Sequence, residues 1–320
     1  GIFCAVPRVL EKTYDKILNK GRNQPLLVKI IFYWALRLGE QFDHHKKLSW
    51  WYKFKLWLAN MLVFKKWRQG LGNNIQIIVS GGATLQSNLA RTFWAGGIRV
   101  FEGYGATETS PVIAVTSNDP DGVKIGTVGP VIDGVEVKIA EDGEILCKGP
   151  NIMKGYYKRP ELTREVIDEE GWFHTGDVGH FEDGKYLKIT DSKKEMFKTS
   201  GGKYVAPQVI ESKLKESPFI ENVLAIGDGQ PFASAIIVPN FYHLRSWCQV
   251  KNIPYTTDSE MIKKQRIIDR FQRVVDESNE ELDHTQKIKK FRLVSDQWEI
   301  ESGELSPTLK LKRRVLYEEY

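Results

Sequence analysis

The chain has 320 residues, a length that predicts two or three domains. Hydrophobic residues make up 41% of it and aromatic residues 11%, which is enough to form buried cores and excludes a wholly disordered protein. The 46 Lys and Arg outnumber the 41 Asp and Glu, but residues 1–70 alone hold 14 basic and 4 acidic residues, so the basicity is local and no nucleic-acid partner is expected.

The sequence carries no sign of export or of a membrane span. The longest apolar run, residues 26–38, is shorter than the ~18 residues that a spanning helix needs and is interrupted by two basic residues. The first residues lack the basic start and apolar core of a secretory signal. The three cysteines, at 4, 147 and 248, have no metal-ligand spacing, so we expect reduced thiols in a cytoplasmic protein.

Residues 1–70 are predicted to be helical, and they hold five of the nine tryptophans. Between positions 50 and 62, apolar residues recur at helical spacing with lysines among them. The recurring residues are Trp50, Trp51, Phe54, Trp57, Leu58, Met61 and Leu62. Two interpretations are open. The stripe packs on its own domain, as long helices usually do, or residues 47–67 make a peripheral contact with an anionic membrane.

Residues 75–120 have the pattern of a parallel α/β layer. A strand at 75–79, a helix at 87–94 and a strand at 98–101 follow one another within about 30 residues. A glycine-bearing loop comes directly after each strand. Because ligands bind at the carboxyl ends of strands in such sheets, both loops are candidate ligand contacts.

Residues 123–190 are predicted to form a small antiparallel β-subdomain. The expected strands are 135–139, 144–147, 178–181 and 186–189. Asp142-Gly143 and Asp183-Gly184 are typical of tight hairpin turns.

A highly charged stretch at 191–195 predicts a domain boundary at Asp191. The expected elements of the second domain are helices at 207–216 and 258–279 and strands at 223–226, 233–238 and 291–295.

Residues 103–109 combine two glycines, an aromatic residue, a hydroxyl and a carboxylate in one loop. Glycine allows the backbone to approach a ligand, and Tyr104 can stack on a flat ring such as a purine. Thr107 can bind a phosphate, and Glu108 offers the oxygen ligand that Mg²⁺ prefers. The alternative is an ordinary strand-to-helix turn with a hydroxyl cap.

Two further glycine-bearing loops are weaker signals on their own. In residues 171–177, Asp177 is placed to accept both hydroxyls of a ribose, although Thr-Gly-Asp also forms simple tight turns. His174 is expected to pack, without a catalytic role. Residues 198–203 lack the spacing of a phosphate-binding Walker loop and are better interpreted as a flexible glycine loop that rests against a ligand.

The fourth motif is the basic tail at 305–314. A lysine presented by such a tail could neutralise charge on a phosphate oxygen and on leaving pyrophosphate. The alternative is a solvated run of basic residues.

Together, these loops in this order resemble the adenylate-forming enzymes, and most closely the long-chain fatty-acid–CoA ligases. The similar segments are residues 6–12, 80–83, 103–112, 171–179, 200–207 and 306–314, so the resemblance covers nearly the whole chain. It implies an α/β fold with an antiparallel β-subdomain in residues 1–190, as part of a large AMP-binding domain. A small, mobile α+β lid domain would follow in residues 191–320.

The resemblance also assigns roles to individual residues. Those implied in nucleotide binding are Gly81, Gly82, Ala83, Tyr104, Gly105, Thr107, Asp177, Gly201 and Gly202. Lys310 matches the lysine needed for adenylate formation, with Lys312 as a nearby decoy. Thr107 and Glu108 complete the catalytic set, and Glu108 matches the Mg²⁺ ligand.

The implied reaction has two halves. A fatty carboxylate attacks the α-phosphate of ATP, giving acyl-AMP and pyrophosphate, and the thiol of coenzyme A then displaces AMP. Between the halves, the lid would rotate at Asp191 and withdraw Lys310. Rival hypotheses are a ligase for another carboxylate or acceptor, and a non-catalytic docking module with a vestigial nucleotide site.

The sequence departs from the family pattern at two points. Ser192 stands where the family usually has Arg after the hinge Asp, which puts one ribose or hinge contact in doubt. The Ser/Thr/Gly-rich phosphate loop that ends in Pro-Lys-Gly is not found in the 320 residues. We therefore expect the C-terminal portion of a longer ligase, which binds nucleotide poorly and does not turn over by itself.

Overall fold

The computed structural model describes residues 1–44, 48–119, 121–306 and 309–320. They form two compact units, Gly1–Ile189 and Thr190–Tyr320. The first unit combines an α/β layer with an antiparallel sheet, and the second is α+β, so the predicted fold class is confirmed.

The α/β layer of the first unit is built on a four-stranded sheet. Its strands are β1 (Ile2–Ala5), β2 (Ile77–Gly81), β3 (Arg99–Tyr104) and β4 (Ala114–Val115). The first three strands run parallel in that order, and β4 is antiparallel to β3. The short strands β1 and β4 were not predicted. The helices are α1 (Pro7–Arg22), α2 (Leu26–Glu40), α3 (Trp50–Ala59), α4 (Lys65–Gly70) and α5 (Ser87–Ala95).

A π-helical turn at Asn60–Phe64 joins α3 to α4. The Asn60 side-chain amide donates hydrogen bonds to the carbonyls of Leu56 (3.1 Å) and Ala95 (3.0 Å). Arg68 donates to the Asn60 side-chain oxygen (2.8 Å) and to the carbonyl of Gly96. The long helical segment is therefore fastened to the C-terminal end of α5.

The helical segment from α3 to α4 has two apolar faces, of which one is buried. Ala59, Val63, Phe64 and Trp67 pack into a core with α2. We call the opposite side the outer face; it consists of Trp50, Trp51, Phe54, Trp57, Met61 and Leu62, all exposed. Within the described part of the chain these six side chains are therefore not packed on the first unit, and the choice between packing on the complete domain and a membrane contact stays open. No helix in the described part of the chain is both long and apolar enough to cross a bilayer.

The antiparallel sheet has four strands in sequential order. They are β5 (Glu136–Ile139), β6 (Glu144–Lys148), β7 (Phe173–Glu182) and β8 (Tyr186–Ser192), with α6 (Pro160–Val166) between β6 and β7. Both predicted hairpin turns are present, and Gly143, Asp183 and Gly184 there have positive φ. β7 begins five residues before the predicted strand.

The second unit places helices around a three-stranded sheet and a short hairpin. The hairpin is β9 (Phe197–Lys198) with β10 (Tyr204–Val205); the sheet contains β11 (Ile220–Ile226), β12 (Ala233–Pro239) and β13 (Ile288–Leu293). The helices are α7 (Pro207–Leu214), α8 (Phe241–Val250), α9 (Asp258–Met261), α10 (Gln265–Glu280) and α11 (Arg313–Glu319).

Two predictions for this unit need correction. The single helix expected at 258–279 is two helices, because extended backbone at Lys264 separates α9 from α10 and lets Met261 and Ile267 enter the same core. The last strand begins at Ile288 instead of 291. The Asn279 side chain bonds both the N–H and the carbonyl of Ile288 (2.8 and 2.9 Å), which fixes where β13 starts.

Candidate active site

Two of the predicted glycine loops meet at the carboxyl edge of the parallel sheet. Gly81, the last residue of β2, lies in register with Gly103 near the end of β3. Gly82 and Ala83 follow β2 on the exposed side of this edge. The α/β pattern alone predicted this juxtaposition, because parallel strands end at the same side of a sheet.

Tyr104 and Asp177 are brought together across 73 residues of sequence. The Tyr104 hydroxyl donates a 2.8 Å hydrogen bond to the Asp177 carboxylate. The Tyr104 ring packs in apolar clusters that contain Ile113, just before β4, and Ile145 of the antiparallel sheet. Burial, together with the neighbouring Asp177 charge, raises the pKa of the Tyr104 phenol, which therefore stays a hydrogen-bond donor.

The loop after Tyr104 is fixed by a close backbone contact and by hydrogen bonds from two side chains. A Cβ on Gly105 would lie 1.9 Å from the carbonyl oxygen of Pro111, so only glycine fits there. The Thr109 hydroxyl accepts from the Ala106 N–H (2.9 Å), and the Asn151 amide bonds the carbonyls of Thr109 and Val112 (3.0 and 2.9 Å). These contacts fix the backbone on both sides of Thr107, whose side chain is exposed.

Glu108 has the surroundings of a ligand for a hard cation. The Tyr156 hydroxyl donates to Glu108 Oε1 (2.9 Å), which orients the half-buried carboxylate. No cluster of three His, Cys, Asp or Glu able to hold a metal occurs in the described ranges. A site with a single protein carboxylate fits Mg²⁺ bound together with a nucleotide, because Mg²⁺ takes its remaining oxygens from phosphate and water.

The turn that carries Asp177 is braced from β6. Glu144 Oε1 accepts a hydrogen bond from the Gly176 N–H (2.9 Å), and Glu144 Oε2 lies 3.1 Å from His174 Nδ1. The Thr175 hydroxyl bonds the Ile145 carbonyl (2.8 Å). The described contacts of His174 are thus with Glu144 and, at 3.7 Å, with Asp168, and the absence of a catalytic role for it stays a prediction.

A buried carboxyl group lies next to the carboxyl edge of the parallel sheet. Glu102 precedes Gly103 on β3, lies in register with Ser80 and is 8% exposed. Burial raises the pKa of Glu102 to about 8, although a hydrogen bond from the backbone of Leu85 opposes the shift. Ser80 Oγ is buried and has no hydrogen-bond partner among the described residues. Near neutral pH, Glu102 is therefore mainly protonated.

In the second unit, the glycine loop forms the tip of the β9–β10 hairpin. Thr199 donates from its N–H to the Lys203 carbonyl (2.9 Å), and the Gly202 N–H donates to the Thr199 carbonyl (2.9 Å). Gly201 and Gly202 are exposed between these contacts. That the loop rests against a ligand stays a prediction.

Lys310 lies in a short turn that is anchored on both sides. Its N–H donates to Ser306 Oγ (3.0 Å), and its carbonyl accepts from the Ser306 N–H (2.8 Å). Leu309 and Leu311 pack on a core of this unit, whereas the Lys310 side chain is exposed. Lys312 is exposed too, so accessibility does not separate the predicted catalytic lysine from its neighbour.

A buried ion-pair network connects the segment after Lys310 to the start of the second unit. Arg313 donates two hydrogen bonds to Glu211 (2.7 and 2.8 Å) and lies 3.2 Å from Glu195. Burial opposes the Arg313 charge, but the facing carboxylates outweigh it and raise the pKa of the guanidinium. Burial also raises the pKa of Asp191, the predicted hinge residue, to about 7, and its carboxylate accepts from the N–H groups of Gln208 (2.9 Å) and Ser192 (2.7 Å).

The sequence did not reveal several side chains that shape these sites. Tyr156, Asn151 and Glu144 contact the predicted loops from distant parts of the chain, and no local pattern marks them. The predicted nucleotide residues from Gly81 to Asp177 lie in the first unit, whereas Gly201, Gly202 and Lys310 lie in the second.

Two family models match the chain. One described as AMP-binding enzyme covers residues 1–157, and one described as AMP-binding enzyme C-terminal domain covers residues 195–320. Long-chain-fatty-acid–CoA ligase FadD15 of Mycobacterium tuberculosis is 33% identical over 325 residues, which cover 100% of this chain and 53% of that ligase. For long-chain-fatty-acid–CoA ligase 6 of Homo sapiens, the identity is 32% over 335 residues, with coverages of 99% and 46%. The chain thus spans about half the length of the curated relatives it matches.

Solved structures of similar fold include two that were determined with adenylates. The A-PCP didomain of a carboxylic acid reductase from Segniliparus rugosus, in complex with AMP, has a TM-score of 0.67 at 23% identity and covers 100% of this chain and 40% of that one. The anthranilate CoA ligase AuaEII, in complex with anthranoyl-AMP, has a TM-score of 0.60 at 19% identity, with coverages of 82% and 48%. At these identities the similarity establishes the fold and nothing finer.

Proposed function

Because this chain belongs to the AMP-binding enzymes, we propose that it takes part in the ATP-dependent activation of a long-chain fatty acid to acyl-AMP and in the transfer of the acyl group to coenzyme A. The observation that carries the proposal is the Tyr104–Asp177 hydrogen bond beside the Gly81–Gly103 edge. It joins the two side chains assigned to the adenine and the ribose. The names of the curated relatives support a long-chain fatty acid as the substrate.

In the first half-reaction, a carboxylate oxygen forms a bond to the α-phosphorus of ATP and the bond to pyrophosphate breaks. Asp177 would accept the ribose hydroxyls, and Tyr104, held by Asp177, would present its ring to the adenine. Thr107, on its braced loop, would donate to a phosphate oxygen. The protein's contribution is therefore positioning and charge stabilisation, without a covalent intermediate on the chain.

In this proposal, residues of each unit would neutralise charge on the phosphates. Glu108 would hold Mg²⁺, which neutralises phosphate charge when bound, and Tyr156 would orient the carboxylate that does so. The Lys310 ammonium would contact the oxygens on which charge develops as pyrophosphate leaves. Because the backbone around Lys310 is anchored and its side chain is exposed, the ammonium can reach outward from a fixed base.

In the second half-reaction, the thiol sulfur of coenzyme A bonds to the acyl carbon and AMP leaves. We propose that the second unit turns about Asp191 between the halves, withdraws Lys310 and brings the Gly201–Gly202 loop to the adenylate. Ser192, in place of the usual Arg after the hinge, removes one candidate ribose contact. Neighbouring Lys193 or Lys194 is our candidate replacement.

The proposal is tested by carboxylate-dependent exchange of pyrophosphate into ATP. The assay uses the longest natural protein that contains this chain, with a panel of long-chain, short-chain and aromatic acids, and thioester formation is measured in parallel. We expect exchange with long-chain acids, a loss of at least about a hundredfold in Lys310→Ala, and near-parental exchange in the matched control Lys312→Ala.

Three outcomes would contradict parts of the proposal. Exchange driven best by aromatic or short-chain acids would identify a ligase for another carboxylate, and an adenylate that does not pass to coenzyme A would identify another acceptor. If no acid supported exchange, the remaining hypothesis would be the non-catalytic docking module. For the isolated 320-residue chain we expect weak nucleotide binding and no turnover, and robust acyl-CoA production by it would refute that expectation.

A further inference from the structure

The segment from α3 to α4 has more apolar surface than its own core uses. Trp50, Trp51, Phe54, Trp57 and Met61 are 65%, 57%, 50%, 59% and 50% exposed. Residues 50, 54, 57 and 61 follow the spacing of one helical stripe. A helix that is apolar on both sides is normally buried on both sides or lies against a membrane.

The outer face is a continuous aromatic surface. The rings of Trp50 and Trp51 are stacked at a centroid distance of 4.0 Å, and those of Phe54 and Trp57 at 6.1 Å. The rings of Trp51 and Phe54, one from each pair, lie edge to face with a centroid distance of 6.5 Å. Contiguous exposed apolar patches of this kind mark interaction sites, whereas scattered exposed residues do not.

The stretch of sequence that carries the outer face has charges of a single sign. Between Asp43 and Glu102 the sequence contains nine Lys or Arg and no Asp or Glu. Lys53, Lys55 and Lys66 are exposed on the same helical segment as the aromatic rings. An acidic protein partner would satisfy the lysines, but the stacked tryptophans add the amphipathic rings that favour a bilayer interface.

We propose that the outer face docks on a bilayer that contains anionic lipids. The helix would lie in the plane of the interface, with the aromatic rings among the acyl chains near the headgroups and the lysines reaching to lipid phosphates and carboxylates. A second copy of the chain is disfavoured as the occupant, because two surfaces with the same excess of positive charge repel each other. This inference does not rest on the proposed acyl activation.

The first experiment is co-sedimentation of the longest natural protein that contains this chain with phosphatidylcholine vesicles, with and without phosphatidylserine. Neither nucleotide nor fatty acid is present, so the result is independent of catalysis. We expect binding that requires phosphatidylserine and a loss of at least about a hundredfold in Trp50→Ala/Trp51→Ala/Trp57→Ala, because three buried rings are removed. The matched control is Tyr242→Ala/Val250→Ala, which removes exposed apolar surface from α8 and should bind like the parent.

The second experiment tests the charge component. Each lysine near an anionic surface is worth about fivefold in binding, so Lys53→Gln/Lys55→Gln/Lys66→Gln should lose about a hundredfold. The control, Lys251→Gln/Lys263→Gln/Lys289→Gln, removes the same charge from exposed positions of the second unit and should change binding little. Equal losses in the two variants would mean that net charge alone drives binding, and would overturn the docking site.

A conservative variant distinguishes docking through the outer face from non-specific adsorption to the vesicles. Trp50→Phe/Trp51→Phe/Trp57→Phe should still bind, but the quenching of tryptophan fluorescence by brominated lipids should fall sharply, because the inserted indoles are gone. Circular dichroism checks that each variant keeps its fold. The proposal is overturned if the parent does not bind vesicles, or if the alanine variant binds equally well. A dimer in sedimentation velocity that the alanine variant loses, without vesicle binding, would make a second copy the occupant.

Discussion

The buried carboxyl group of Glu102 leads to a pH dependence that one substitution should remove. Burial raises the pKa of Glu102 to about 8 in the folded chain, from the value of about 4.5 that a solvated glutamate has. Between these values the folded chain keeps a proton that the unfolded chain has lost. The free energy of unfolding therefore falls as pH rises, by about 1.4 kcal/mol per pH unit within this window. Across the whole window, the loss amounts to about 5 kcal/mol.

The substitution is Glu102→Gln, whose neutral amide oxygen can still accept from the Leu85 backbone. The measurement is urea unfolding of parent and variant between about pH 5 and pH 8, followed by tryptophan fluorescence, since most tryptophans lie in the first unit. We expect the parent to be as stable as the variant near pH 5 and to fall progressively below it toward pH 8. Glu136→Gln, at an exposed position, is the matched control and should keep the parental slope. Parallel profiles for parent and Glu102→Gln would refute the assignment of a buried, protonated carboxyl.

Three further predictions follow from contacts in the two units. Arg313→Leu leaves Glu211 buried without its partner and should lower the free energy of unfolding by about 3–5 kcal/mol. Thermal or urea unfolding measures this change. The control is Arg314→Leu, at an exposed neighbouring position, which should lower the free energy of unfolding by less than about 1 kcal/mol. Gly105→Ala places a Cβ against the Pro111 carbonyl, so nucleotide binding, measured by calorimetry in the longest natural protein that contains this chain, should fall at least about tenfold. The control is Gly70→Ala, where a Cβ meets no atom within 4 Å, and it should bind nucleotide like the parent. Tyr156→Phe removes the hydrogen bond to Glu108. It should raise the Mg²⁺ concentration needed for half-maximal pyrophosphate exchange by about three- to tenfold and leave Mg²⁺-saturated exchange nearly unchanged; an unchanged Mg²⁺ requirement would remove Tyr156 from the site.

Sequence patterns predicted the parts of the fold that local chemistry determines. The glycine turns of the antiparallel sheet and the pairing of the Gly81 and Gly103 loops both follow from short-range signals. The association of Tyr104 with Asp177 came only from the family resemblance, because 73 residues separate them and no spacing rule spans that distance.

Periodicity was least informative where a helix has two apolar faces. Trp57 and Trp67 are equally hydrophobic and ten residues apart, yet Trp57 is 59% exposed and Trp67 only 6%. The choice between them depends on what α2 covers, which is a tertiary contact. Likewise, the break between α9 and α10 at Lys264 depends on the core that Met261 and Ile267 share, and lysine itself gives no sign of it.

The π-helical turn connects the segment from α3 to α4 with the start of β3. Asn60 and Arg68 clamp that turn to Ala95 and Gly96, only a few residues before β3 begins. Two polar side chains therefore join the segment that carries the outer face to the start of the strand that ends at Tyr104. A substitution that loosens α3 should for this reason also change the hydrogen-exchange protection of β3.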